Sequence, residues 1–141
     1  MTTLTTDKIK EISDQLDCGF RCFLHRQNNK LLFIPDTTRH IEIDTEAWAT
    51  EIDELENNFD NYFEIDQLES GDTFRIMQQF TDTLKDTNQL KEKLIDALQN
   101  KKPFRQFKFI IDNSGAYRQN WFDFKSRKIQ EWVVSKLDSF G

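Results

Sequence analysis

Eighteen aromatic side chains, 13 Phe, 3 Trp and 2 Tyr among 141 residues, constrain this chain more than any other feature. Each ring buries far more apolar area than a valine side chain does, so together they demand a core to hold them. The hydrophobic share is only 37% and charged residues make up 31%, yet a chain of this length builds a sizeable core from such rings. Four Gly and two Pro are too few for a disordered composition. Length predicts one domain spanning residues 1–141. The glycines, Gly19, Gly71, Gly115 and Gly141, leave no spacing for a dinucleotide fingerprint or a phosphate-cradling loop. Nucleotide enzymes of those two classes are excluded.

The start, Met1 to Lys8, has neither the basic opening nor the apolar stretch of a secretory signal, and no later run approaches membrane-spanning length. The expectation is a soluble, cytoplasmic protein without membrane contact. Cys18 and Cys22, four residues apart and expected on one strand, lie beyond disulfide reach of each other. Reduced, buried thiols are the simpler reading.

The net charge of −6 conceals an asymmetry. Residues 1–100 carry 10 basic and 21 acidic side chains, whereas residues 101–141 carry 9 basic and 4 acidic ones. The acidic middle, residues 36–72, holds 13 carboxylates against Arg39 alone. Such polarity steers a charged partner, or the two regions neutralise each other inside one fold. Because the charges are mixed with aromatics, folded faces are favoured over free tails.

Hydrophobic spacing supplies the elements. Thr6 can cap a first helix over residues 6–17 with Ile9, Ile12 and Leu16 on its apolar face, ended by Gly19. The period then becomes two: Cys18, Phe20, Cys22 and Leu24 alternate with Arg21, Phe23 and His25, the pattern of a half-buried strand. Gln27 to Lys30 is turn chemistry, since Asn tolerates left-handed conformations. Leu31 to Ile34 forms the return strand, stopped by Pro35. Thr45 or Asp44 can cap an acidic helix carrying Trp48, Ile52 and Leu55, with Phe59 just beyond it. Tyr62 to Asp66 alternates again, as a short edge strand. From Ser70 the chain reads as helical. Phe74, Met77, Phe80 and Leu84 share one helix; Leu90, Leu94, Ala97 and Leu98 share a second. Pro103 opens a third with Phe104, Phe107 and Ile111. Beyond Gly115 a last helix, residues 116–140, places Phe122, Ile129, Val133, Leu137 and Phe140 in one narrow arc flanked by Trp121 and Trp132, with Tyr117 and Phe124 farther round. So wide an apolar arc predicts a helix wedged between two layers or one that exposes an aromatic shoulder. The fold class is α+β: a small antiparallel sheet of three strands with five to six helices, the C-terminal half all helical.

Chemistry is harder to find. The only soft-metal set, Cys18, Cys22, His25 and His40, does not converge on a tetrahedral site, because His25 falls on the opposite strand face. The calcium loop and the Glu-x-x-His pairs of a di-iron bundle are missing. No serine stands in a nucleophile elbow, and Cys22 and His25 cannot face each other. The sequence therefore assigns no catalytic, cofactor-binding or metal-binding residue, expects no cofactor, and leans away from an enzyme. The distinctive stretch is Lys101-Lys102-Pro103-Phe104-Arg105-Gln106-Phe107-Lys108, continued by Arg118, Lys125, Arg127 and Lys128 among Tyr117, Trp121, Phe122 and Phe124. Cations for phosphates and rings for bases are what single-stranded nucleic acid needs. The competing reading is amphipathic helices with aromatic cores and basic stems lying over their edges. A pI near 4.9 favours the second. The eight cations and Arg75 are then expected to pair with the acidic middle.

The segment Leu16-Asp17-Cys18-Gly19-Phe20-Arg21-Cys22-Phe23, the hairpin ending Ile34-Pro35-Asp36, the acidic helix with Trp48, Lys102-Pro103-Phe104-Arg105-Gln106-Phe107-Lys108 and Trp121-Phe122-Asp123-Phe124-Lys125 occur in an order that resembles the bacterial uncharacterised protein family 0158. The resemblance spans nearly the whole chain. It implies a bacterial, cytoplasmic, single-domain protein of unknown function and transfers no catalytic residue. The residues themselves, and not the resemblance, carry two functional expectations: from the charge-polarised surface and the apolar width of the last helix, a non-enzymatic protein-interaction or regulatory module that binds a protein partner or itself through the acidic middle or the aromatic shoulder of that helix, and, second, a nucleic-acid binder using Lys101, Lys102, Arg105, Lys108, Arg118, Lys125, Arg127 and Lys128.

Overall fold

Thr5, one residue earlier than expected, opens the first helix: its Oγ1 accepts the Lys8 amide at 3.2 Å and caps α1, Thr6–Asp17. The computed structural model describes residues 4–36 and 45–140. Its elements follow in the order α1, β1 (Phe20–His25), β2 (Leu31–Pro35), α2 (Ala49–Asn57), β3 (Tyr62–Ile65), α3 (Ser70–Thr83), α4 (Gln89–Leu98), α5 (Pro103–Asp112) and α6 (Tyr117–Ser139). This is the α+β class read from the sequence, with three antiparallel strands and six α-helices among the described residues. The chain divides into two compact units. A sheet unit runs up to Gln67 and resumes at Ile129, and a helical unit takes Leu68–Lys128.

In the sheet unit the strand order is β2-β1-β3, both pairings antiparallel. β3 is at an edge, as its alternation predicted. The β1–β2 turn is held by its own side chains. Asn29 adopts a left-handed φ of 62°, the Asn28 carboxamide oxygen accepts the Lys30 amide at 2.9 Å, and His25 Nδ1 accepts the amides of Gln27 and Asn28. Register places Phe23, Leu32, Ile34 and Tyr62 together on one face, where Ile52 and Leu55 of α2 pack on them. On the opposite face lie Cys22, Leu24, Phe63 and Ile65, with the Phe140 ring stacked on Phe63 at 4.5 Å between centroids.

Two expectations are corrected here. β1 is not half-buried: as the central strand it has Cys22, Phe23 and Leu24 all buried. Cys18 is neither on the strand nor buried. It is the exposed C-cap of α1, because Gly19, at φ 87°, turns the chain before the strand begins. Cys22 is the fully buried thiol, its ionisation pushed up by burial first and by the carboxylates of Glu11 and Glu64 next.

The acidic helix is also shorter than its pattern. A 3₁₀ turn, Thr45–Trp48, leads into α2 without a side-chain cap at Trp48. Asp44, weighed as that cap, lies outside the described residues, as does His40. The Tyr62 hydroxyl donates to Glu54 of α2 at 2.9 Å. Burial, and secondarily this carboxylate, push the phenol up to about 12.

The helical unit is built around rings. Phe80 of α3 meets Trp121 and Phe124 of α6 edge-on, each at 5.4 Å, and Phe107 of α5 meets Trp121 at 4.9 Å. Leu94 and Ala97 of α4 and Ile111 of α5 are buried in the same unit. Gly115, at φ 67°, separates α5 from α6. Within α6 the burial departs from the expected arc: Trp121 and Phe124 are buried and Phe122 is exposed. The rings of Phe80 and Phe107 hold the first two, and hydrophobic spacing alone ranks the three rings wrongly.

Candidate functional site

Proline at the first position of α5 lacks an amide that would be orphaned there anyway, so Lys101-Lys102-Pro103 starts the helix cleanly. Phe107 and Ile111 turn inward, which leaves Arg105, Lys108 and Phe109 on the other side. Phe109 is 68% exposed and Phe104, edge-on to Phe74, 38%. Lys101, Lys102, Arg105 and Lys108 are all exposed. No acidic residue occupies the first turn, so the lysines stand at the positive end of the helix dipole and raise the local potential further.

The other four cations are placed differently. Arg118 lies 3.4 Å from Asp112, and its guanidinium sits 4.7 Å from the centre of the exposed Phe122 ring. Lys125 lies over Trp121 at 5.9 Å, and Arg127 and Lys128 lie over Phe124 at 5.3 and 5.5 Å. Each contact is worth roughly 0.5–1 kcal/mol at an exposed site. The structure thus splits the eight predicted residues into four open cations on and before α5 and four on α6 engaged with rings. The pairing expected with the acidic middle is made by Arg75, which lies 3.5 Å from Asp72. Arg118 pairs with Asp112, and both of these pairs lie within the helical unit.

A groove of about 420 Å³ lies between the start of α4, the C-terminal half of α5 and the start of α6. Its apolar lining is Leu90, Phe109, Ile110 and the ring of Tyr117, with Lys93 at the rim. Asn88 fixes one end, since its side-chain oxygen caps α4 through the Leu90 amide at 2.9 Å while its NH2 donates to the Tyr117 hydroxyl at 2.9 Å. Lys93 and Phe109 were missed by the sequence reading. A signal existed for the second: Phe109 is two residues from the core ring Phe107, hence on the opposite side of the helix.

Of the soft-metal set, Cys18 is exposed at a helix end and Cys22 is buried within the sheet unit, while His25 holds a turn with its Nδ1. Among the described residues, no three His, Cys, Asp or Glu side chains are grouped to hold a metal ion. Among the same residues, no helix is long and apolar enough to cross a membrane.

A family model described as "Uncharacterised protein family (UPF0158)" matches residues 1–140. A UPF0158 protein of Pseudomonas aeruginosa is 28% identical over 140 residues, covering 98% of this chain and 84% of that relative. No solved structure matches the chain.

Proposed function

Because the chain belongs to uncharacterised protein family 0158, which carries no assigned function, we propose a role from its surface: a cytoplasmic, non-enzymatic interaction module that receives an acidic partner protein along α5 and the adjoining groove. The supporting observation is the position of Phe109. A ring 68% exposed, lining a groove with Leu90, Ile110 and Tyr117 whose one charged lining residue is the exposed Lys93, and next in sequence to the exposed Lys108, is the arrangement of an aromatic anchor with cations beside it. In this reading residues 1–141 act as one domain, with the basic-aromatic tail of residues 101–141 receiving the partner.

The α5 cations also favour nucleic acid as a second reading. Against it, the α6 rings already carry cations over them, which leaves Phe104 and Phe109 of α5 as the exposed rings free to stack on bases.

A photo-crosslinking side chain at position 109, activated in cells that make the protein, separates the two. The expected product is a protein adduct that disappears when Arg105→Glu and Lys108→Glu are combined. Adducts to nucleic acid, with salt-sensitive binding of short single strands by the purified protein, favour the second reading. A probe that captures neither sinks both.

A further inference from the structure

The partner class can be narrowed further, and this step rests on the interaction reading above. The helical unit carries 12 basic and 8 acidic side chains, a balance of +4; the rest of the chain carries 7 basic and 17 acidic, a balance of −10. The protein therefore holds, in two units of one chain, both signs that a charge-complementary contact needs. The acidic unit also carries an aromatic knob. Phe59, just past the end of α2, is 66% exposed, with Glu56 and Asp60 exposed on either side of it in sequence.

We infer that the occupant of the α4/α5 groove is a second copy of this chain, inserting Phe59 between Leu90 and Phe109 while Glu56 and Asp60 meet Lys93 and Lys108. The groove, at about 420 Å³, lies in the roughly 300–1,000 Å³ range of sites that enclose a ligand group, large enough for one ring. Lys93 is the one charged residue of its lining and Lys108 neighbours Phe109 in sequence, whereas the knob is anionic, so approach of two copies in this orientation is favoured, and knob against knob is repelled. The contact is heterologous, different patches meeting on the two chains, so it closes into a reciprocal pair or ring, or grows as a filament.

The test is the mass of the purified full chain in light scattering and sedimentation, at low and moderate salt. A multiple of 16.9 kDa at low salt that falls toward 16.9 kDa as salt rises is expected. Phe59→Ala or Phe109→Ala weakens association on the order of tenfold or more. Both positions are exposed, and unchanged circular dichroism and melting separate this from a folding defect. A charge swap adds specificity. The Lys93→Glu/Lys108→Glu double variant and the Glu56→Lys/Asp60→Lys double variant each stay monomeric alone, and mixing them restores the complex.

A chain that stays at 16.9 kDa at every concentration overturns self-association, as does an oligomer indifferent to these four positions and to Phe59 and Phe109. If the probe at position 109 then still captures another protein, only this inference fails and the interaction reading stands. If it captures nothing, both fail.

Discussion

The two units solve the problem of burying rings in different ways. In the sheet unit, Phe23 and Tyr62 are brought to one face by strand register, and a half-buried acidic helix packs on them. In the helical unit, Phe80, Phe107, Trp121 and Phe124 interlock edge-on across three helices. The first core depends on pairing between distant segments and on buried groups that must stay neutral. The second depends on edge-on ring contacts filled in by aliphatic side chains such as Leu94 and Ile111. The lesson is that one aromatic-rich composition supports two cores with different sensitivities.

The strongest way to break the comparison is Phe107→Ala. This ring is fully buried against Trp121, and its loss costs about 3–5 kcal/mol. Hydrogen exchange is expected to show amides of the helical unit losing protection while β1 and β2 keep theirs. Equal loss in both would make the units one cooperative body.

Alkaline pH attacks the other side. Cys22 and Tyr62 both have folded-state ionisations raised above their ordinary values of 9.0 and 10.0. The unfolded chain therefore loses these protons first. The stabilisation is full below about pH 9 and is lost as pH rises, the Tyr62 part between about 10 and 12. Denaturant melts at stepped pH, followed by exchange in β1 and β3, check this. Tyr62→Phe should flatten the slope above pH 10, and an unchanged slope would remove the phenol from the account.

Smaller effects sharpen the contrast. Thr5→Ala and Asn88→Ala each remove a helix cap at about 1 kcal/mol, the second costing more because the Tyr117 hydroxyl also loses its donor. Chemical denaturation of the single variants, with exchange at α1 and α4, tests that order. Smallest of all is Arg21→Ala. Its guanidinium makes paired hydrogen bonds to Glu64 at 2.8 and 2.9 Å across β1 and β3, but both partners are solvent-exposed, so a loss of about 0.5–1 kcal/mol is expected in denaturant melts.

Much of this architecture was legible beforehand. The 3.6-residue spacing of Ile12 and Leu16, of Met77 and Phe80, and of Phe107 and Ile111 marked helices whose buried faces those residues supply. Alternation marked the strands, and asparagine marked the turn. Errors arose where a local pattern ran on past its element. Cys18 shares the parity of Cys22 but precedes the turn at Gly19. Trp121, Phe122 and Phe124 are equally apolar, and only one of the three is exposed. The eight cations looked like one set because spacing does not reveal which guanidinium or ammonium will lie on a ring.

What the amino-acid sequence determined by itself is the order and kind of the elements, and the opposition of an acidic middle and a basic tail. Both follow from short-range rules: backbone hydrogen bonding has a fixed period, and charge is a property of composition. Tertiary structure alone decided that β1 is covered on both faces, that Phe109 stands at a groove, and that four cations remain open while four lie over rings. Those outcomes depend on which distant side chains arrive as neighbours, and burial is a property of the neighbourhood, not of the residue.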